Sequence, residues 1–137
     1  MIVVDTNVLA YGTLTVSDPV LRRQAEAISS GAEGILVPGL WRHEYLNTLV
    51  NYAQAEHLTL DEAMTAWYRT LALAQESEAP VNMTRALELS VELSLSGHDA
   101  QFLALVEEAN TVLVTEDRRL RRAAGARAVS MEEHLAS

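Results

Sequence analysis

The chain has 137 residues, is 49% hydrophobic and carries a formal net charge of −9. That length and apolar content suit one buried core over residues 1–137, which excludes a disordered acidic tail. No apolar run reaches the ~18 residues of a bilayer span, and the absence of cysteine excludes disulfides, thiolate catalysis and cysteine-based zinc sites.

Ile2 to Val4 is a short, wholly apolar run of the kind that forms a strand buried on both faces. It follows Met1 with no basic segment or cleavage signal, so a cytoplasmic location is expected. Asp18-Pro19 is a helix start, with Pro at the first helical position, and the helix runs through Leu21, Ala25 and Ile28 to a stop at Gly31. Ile35 to Val37 is a second strand, closed by Pro38-Gly39. Leu40 to about Ala55 reads as a helix. Thr59 and Glu62 form a capping box that opens another, to about Gln75. Pro80-Val81-Asn82 is a candidate brief strand.

Residues 84–96 alternate Leu or Val with Glu and Ser, a strand period. Leu and Glu nevertheless favour helix and Gly97 suits a helix end, so the segment is assigned as helix. Ser96 and Asp99 open a further helix to about Ala109. Val112 to Val114 is a strand, Asp117 to Ala124 a helix closed by Gly125, and Ala126 to Val129 a last short strand. Ser130 with Glu133 caps a terminal turn. Apolar strands alternating with helices give an α/β fold with a parallel sheet.

All ten basic residues are arginine. The missing lysine excludes a P-loop nucleotide site, a Schiff-base enzyme and the usual phosphate contact of a receiver domain. The acidic balance argues against non-specific duplex binding by a basic surface, but not against a nucleic acid whose phosphate is met by a metal ion.

The chain holds five aspartates, and two of them follow strands. Asp5 follows Ile2–Val4 directly, and Asp117 follows Val112–Val114 after Thr115 and Glu116. Parallel strands bring both acids to one sheet edge, where α/β folds place their sites. Taken singly, Asp5 reads equally well as a turn or cap residue and Asp117 as an acid in a first helical turn. Asp99 shares a helix face with Phe102, Leu103 and Val106, so a carboxylate stands on an apolar stripe. Either a capping box with Ser96 or a bound ligand accounts for it. Glu44 falls beside the stripe Trp41, Tyr45, Leu49 and Tyr52, on a polar face with Asn47, Thr48 and Asn51. Periodicity alone makes it a solvated or rim acid, near the same edge. Four converging carboxylates without cysteine suit a hard cation, Mg²⁺ or Mn²⁺.

The segments IVVDTNVLAY, WRHEYLNTLV, GHDAQFLALVEEA and VLVTEDRRL resemble the four motifs of PIN-domain ribonucleases, most closely the stand-alone VapC-type toxins. The resemblance implies a PIN-like α/β/α sandwich around a short parallel sheet, and hydrolysis of RNA phosphodiesters with one or two Mg²⁺ or Mn²⁺ ions. It makes Asp5, Glu44, Asp99 and Asp117 the acidic quartet, with Thr6, Asn7 and Thr115 as polar neighbours. Thr6 and Asn7 read otherwise as a simple turn after the strand. Position 98 holds His98, where the family often has an aromatic residue, and Glu116 adds an acid beside Asp117; packing and solvation respectively explain them as well as a site role does.

Toxins of this kind form homodimers and are inhibited by a small antitoxin, so RNA, an antitoxin and a second copy are the partners implied. Trp41, Tyr45, Tyr52, Trp67 and Tyr68 divide between core and a clamp for a partner helix. Arg118 and Arg42 are the RNA-contact candidates, whereas Arg121 and Arg122 read as a solvated face complementing a helix C-terminus. Three other functions remain open: a PIN nuclease of RNA maturation, a catalytically inert PIN-like binding module, and a haloacid-dehalogenase-like phosphatase. The last requires a second aspartate two residues after Asp5, where this chain has Asn7.

Overall fold

Five short strands form the centre of the computed structural model, which describes residues 1–137: β1 (Ile2–Val4), β2 (Ile35–Pro38), β3 (Glu78–Ala79), β4 (Leu113–Val114) and β5 (Ala128–Val129). Every neighbouring pair is parallel, and the spatial order is β3-β2-β1-β4-β5. Parallel strands need long crossover connections, and helices supply them. Helices α1 (Thr6–Thr13) and α2 (Pro19–Ser29) join β1 to β2, and α3 (Trp41–Gln54) and α4 (Leu60–Ala74) join β2 to β3. Helices α5 (Met83–Leu93) and α6 (Gly97–Ala109) join β3 to β4, α7 (Arg118–Ala124) joins β4 to β5, and α8 (Met131–Ala136) follows β5.

The strand alternation divides the core into two layers. Ile2 and Val4 pack with Val37, Trp41, Tyr45 and Met131 on one face. Val3 packs with Leu89, Phe102, Leu103 and Leu120 on the other. Both faces of β1 are therefore covered, which is why Ile2–Val4 is apolar without interruption. The result is the expected α/β/α sandwich.

From β1 the chain steps outward to β2 and β3, then returns to lay β4 on the opposite flank of β1. The order reverses between β1 and β4, and the crevice beyond their carboxyl ends is the favoured site position of an open α/β sheet.

The capping signals act as their residue types require. Asp18 accepts the amides of Val20 and Leu21 at the start of α2, and both halves of the boxes Thr59–Glu62 and Ser130–Glu133 are formed. Residues 83–93 are helical. Their alternation arises because Leu87 and Val91 face solvent, at 66% and 76% exposure, while Leu89 is buried.

Three local readings are corrected. Thr6 and Asn7 are not a turn but the first turn of α1, a helix hidden by the weak formers Thr, Asn, Val and Gly. The brief strand expected at 80–82 lies at Glu78–Ala79, where it pairs with Val37 and Pro38. The last strand begins at Ala128, because Gly125–Arg127 tightens into a 3₁₀ turn.

Candidate active site

Asp5 stands where β1 becomes α1. Its backbone amide still donates to the carbonyl of Val114 on β4, at 3.0 Å, while its side chain caps α1 by accepting the Thr6 amide at 2.7 Å. The carboxylate is thus fixed by the last rung of the sheet and the first turn of a helix, and it is 9% exposed.

Thr115, wholly buried just after β4, fixes the other carboxylate oxygen. Its hydroxyl donates to Asp5 Oδ2 at 2.7 Å and accepts from the Asp117 amide at 3.1 Å and from Asn7 Nδ2 at 3.3 Å. Asn7 also reaches Asp5 Oδ2 at 3.4 Å and accepts the Glu116 amide at 3.4 Å on its Oδ1. One buried hydroxyl and one amide therefore tie β1, α1 and the β4–α7 turn together.

Glu44 comes from the first turn of α3, and Thr6 Oγ1 donates to its Oε1 at 2.7 Å. Its side chain is 25% exposed, so the solvated reading gives way to a held, partly buried acid. Nδ1 of His98 lies 3.7 Å from Glu44 Oε2. Asp99 opens α6, where only one half of the box with Ser96 forms: the Asp99 amide donates to Ser96 Oγ at 3.1 Å, and its carboxylate does not cap the Ser96 amide in return. Asp117 is exposed and caps α7, accepting the amides of Arg119 and Leu120 at 2.9 and 3.0 Å.

Asp5, Glu44, Asp99 and Asp117 line one cavity of about 370 Å³, together with Thr6, Asn7, His43, Asn47, Thr48 and His98. The wall contains no apolar residue. Three of the acids titrate high. Burial pushes the Asp5 carboxyl up to about 7, against the opposing Thr115 bond and with help from Glu44 and Asp99. Burial raises Glu44 as well, opposed by the Thr6 hydroxyl and His98, and Asp99 is raised by burial and then by Asp117.

Crowded, half-desolvated acids of this sort call for a cation. The available donors are carboxylate, hydroxyl and amide oxygens with no thiolate, a set that fits Mg²⁺ or Mn²⁺. In their present rotamers no three Asp, Glu or His side chains converge tightly enough to hold one ion. The donor chemistry nevertheless fits such an ion.

Neither arginine candidate lines this cavity. Arg42 is drawn away to Glu78, Nε to Oε1 at 2.6 Å, and lies over the Trp41 ring. Arg118 lies on a neighbouring face of α7 with Arg121 and Arg122. Glu116 lies outside the cavity lining and accepts the Met131 amide at 3.0 Å, a contact between the β4–α7 turn and α8. His43 was not picked out by sequence reasoning; its one signal is its place beside Glu44. Asn47 and Thr48 were visible only as the polar face that Glu44 shares.

A family model described as PIN domain matches residues 2–126. The chain belongs to the PIN-domain family, whose members are generally nucleases that use divalent metals. Among solved structures it is similar to PAE2754 from Pyrobaculum aerophilum, with a TM-score of 0.77 and 20% identity over 98% of this chain and 85% of that one. At that identity the likeness speaks to the fold. A search of curated proteins finds no relative.

Proposed function

We propose that this protein is a metal-dependent endoribonuclease, the toxin of a toxin–antitoxin pair. The observation that carries the nuclease reading is the cavity at the β1–β4 switch point, which four carboxylates from four separate segments line and where two threonine hydroxyls hold two of them. Asp5, Glu44, Asp99 and Asp117 would hold one or two Mg²⁺ or Mn²⁺ ions. Bound there, such an ion supplies Lewis acidity toward a phosphoryl oxygen and offsets the acids' mutual repulsion.

The chain's own residues supply position and charge. Thr115 and the Thr6 amide keep the two Asp5 oxygens in fixed directions, and Thr6 does the same for Glu44. Asn7 bridges Asp5 and the β4–α7 turn, so the Asp5 and Asp117 sides of the cavity are set by one side chain. The cavity wall offers no Ser or Cys, and its Thr6 and Thr48 hydroxyls donate to the Glu44 carboxylate and carbonyl, which favours direct attack by water.

An apolar groove between α3 and α4 supports the toxin reading over an RNA-maturation enzyme. It is lined only by hydrophobic residues, among them Leu46, Val50, Leu60, Met64 and Tyr68, each exposed between 38% and 73%. Such a face suits an amphipathic helix of an antitoxin. Trp41 and Tyr45 are wholly buried and serve the core instead. A second apolar stripe on α5, Met83, Leu87 and Val91, would suit the homodimer.

Expression with and without the product of a short adjacent reading frame tests the toxin reading. Growth arrest with cleaved RNA, relieved by that product, is the expected result. Unimpaired growth under strong expression of active enzyme would remove the toxin role and leave the nuclease.

A further inference from the structure

Helix α7 carries four arginines in seven residues, and none of them has a carboxylate partner within ion-pair distance. The chain has 19 acids to ten arginines, and these four make up most of its unpaired arginines, the other two being the isolated Arg23 and Arg69. Four of the six arginines outside α7 form ion pairs: Arg22 with Glu26, Arg42 with Glu78, Arg85 and Arg127 with Glu107. On α7, Arg118, Arg121 and Arg122 stand at i, i+3 and i+4 and share one concavity of about 420 Å³ with Gly125 and Ala128. Its single acid, Glu133, is engaged by the Ser130 amide at 3.2 Å in the α8 capping box.

The helix dipole accounts for Arg121 and Arg122 in the last turn. It does not account for Arg118 in the first, where positive charge is unfavourable. The face is also coupled to the acidic cavity. Arg121 Nη1 donates to the Thr115 carbonyl at 2.7 Å, the same residue whose hydroxyl holds Asp5. Asp117, a wall of the cavity, is the N-cap of this helix.

We propose that Arg118, Arg121 and Arg122 form a track for the phosphates of a single RNA strand whose scissile bond lies in the acidic cavity. The inference rests on the ribonuclease reading and adds where the strand runs: out of the cavity past Asp117 and along α7. Guanidinium forks match phosphodiester oxygens, and in a molecule of net charge −9 a polyanion needs a local cationic path. Arg121 is held by the Thr115 carbonyl, so it presents a fixed fork, while Arg118 and Arg122 are exposed and free to close on phosphate.

The test measures affinity of the full chain for a labelled single-stranded oligoribonucleotide across a salt series, with Mg²⁺, in an Asp5→Asn background that prevents turnover. Each phosphate contact on a single strand contributes roughly 0.7 to the log–log salt slope. Replacing Arg118 and Arg122 by Gln is expected to weaken binding about 10-fold at low salt and to flatten the slope by about 1.4. Replacing the unpaired Arg23 and Arg69 by Gln changes net charge equally and is expected to leave the slope unaltered.

Equal behaviour of the two double variants would overturn the track while leaving the nuclease reading intact. An unchanged RNA slope with lost binding to polyglutamate would assign the face to an acidic protein segment, and would also overturn it. Absence of RNA binding in the Asp5→Asn background, with no cleavage by wild type, would overturn the track and the ribonuclease reading together.

Discussion

Asp5 carries two conflicting burdens. It caps α1, and it is an acid buried among acids. Its carboxyl titrates near 7 instead of the ordinary 3.8, so between those values the folded state keeps a proton that the unfolded state has released. The corresponding stability is complete below the unfolded value and disappears as pH rises through about 7. Asp5→Asn keeps an acceptor for the Thr6 amide and removes the charge. Without metal, the variant is expected to melt on the order of 5 °C above wild type near pH 8, with the gap closing toward pH 4. Adding Mn²⁺ should raise the wild type and do little for the variant. Differential scanning fluorimetry over pH checks this; a variant less stable than wild type at pH 8 would show that the Asp5 charge is already compensated by the fold.

Asp5 and Asp117 were legible because each follows an apolar strand run, so a parallel sheet had to bring them together. Asp99 was legible as a carboxylate on an apolar stripe. Glu44 was not: its periodicity places it on a polar face, and only the packing of α3 against α1 brings Thr6 within 2.7 Å of it. The roles of Thr6, Asn7 and Thr115 came from resemblance alone, since their bonds cross 38 to 110 residues of sequence.

Among the elements, α7 exposes most directly the coupling of fold and site. Asp117 accepts two amides at its start and also lines the cavity. The two roles separate by substitution. Asp117→Ala removes the cap and is expected to cost about 1 kcal/mol in denaturant unfolding, whereas Asp117→Asn keeps a competent cap and most of that stability. Both are expected to lose metal-dependent cleavage. Cleavage retained by Asp117→Asn would reduce Asp117 to a cap.

Local signals were strong for α2, α4 and α8, whose caps lie within a few residues of one another in sequence. They were weak for α1, whose Thr, Asn, Val and Gly are poor helix formers. Its helicity comes from the Asp5 cap and from burial of Thr6, Val8, Leu9 and Thr13 against the sheet layer. The slip of β3 to Glu78–Ala79 has a similar origin. The register is set by pairing with Val37 and Pro38, which no local pattern records.

For the molecule as a whole, the −9 charge is unevenly distributed. Four acids from the β1–α1 junction, α3, α6 and the β4–α7 turn line one cavity, and the unpaired arginines of α7 stand beside it. The strand order 3-2-1-4-5 makes this possible, because only at the β1–β4 reversal do crossovers leave to opposite layers and open a crevice. Under the proposed function, this cavity cleaves RNA with the help of a divalent ion. The most direct measurement incubates the purified chain with single-stranded RNA in Mg²⁺, in Mn²⁺ and in EDTA, beside Asp5→Asn and Asp99→Asn. Cleavage is expected with either ion, and a loss of at least about 10²-fold is expected in EDTA and in both variants. Cleavage that persists in EDTA, or that survives in both variants, would contradict the account.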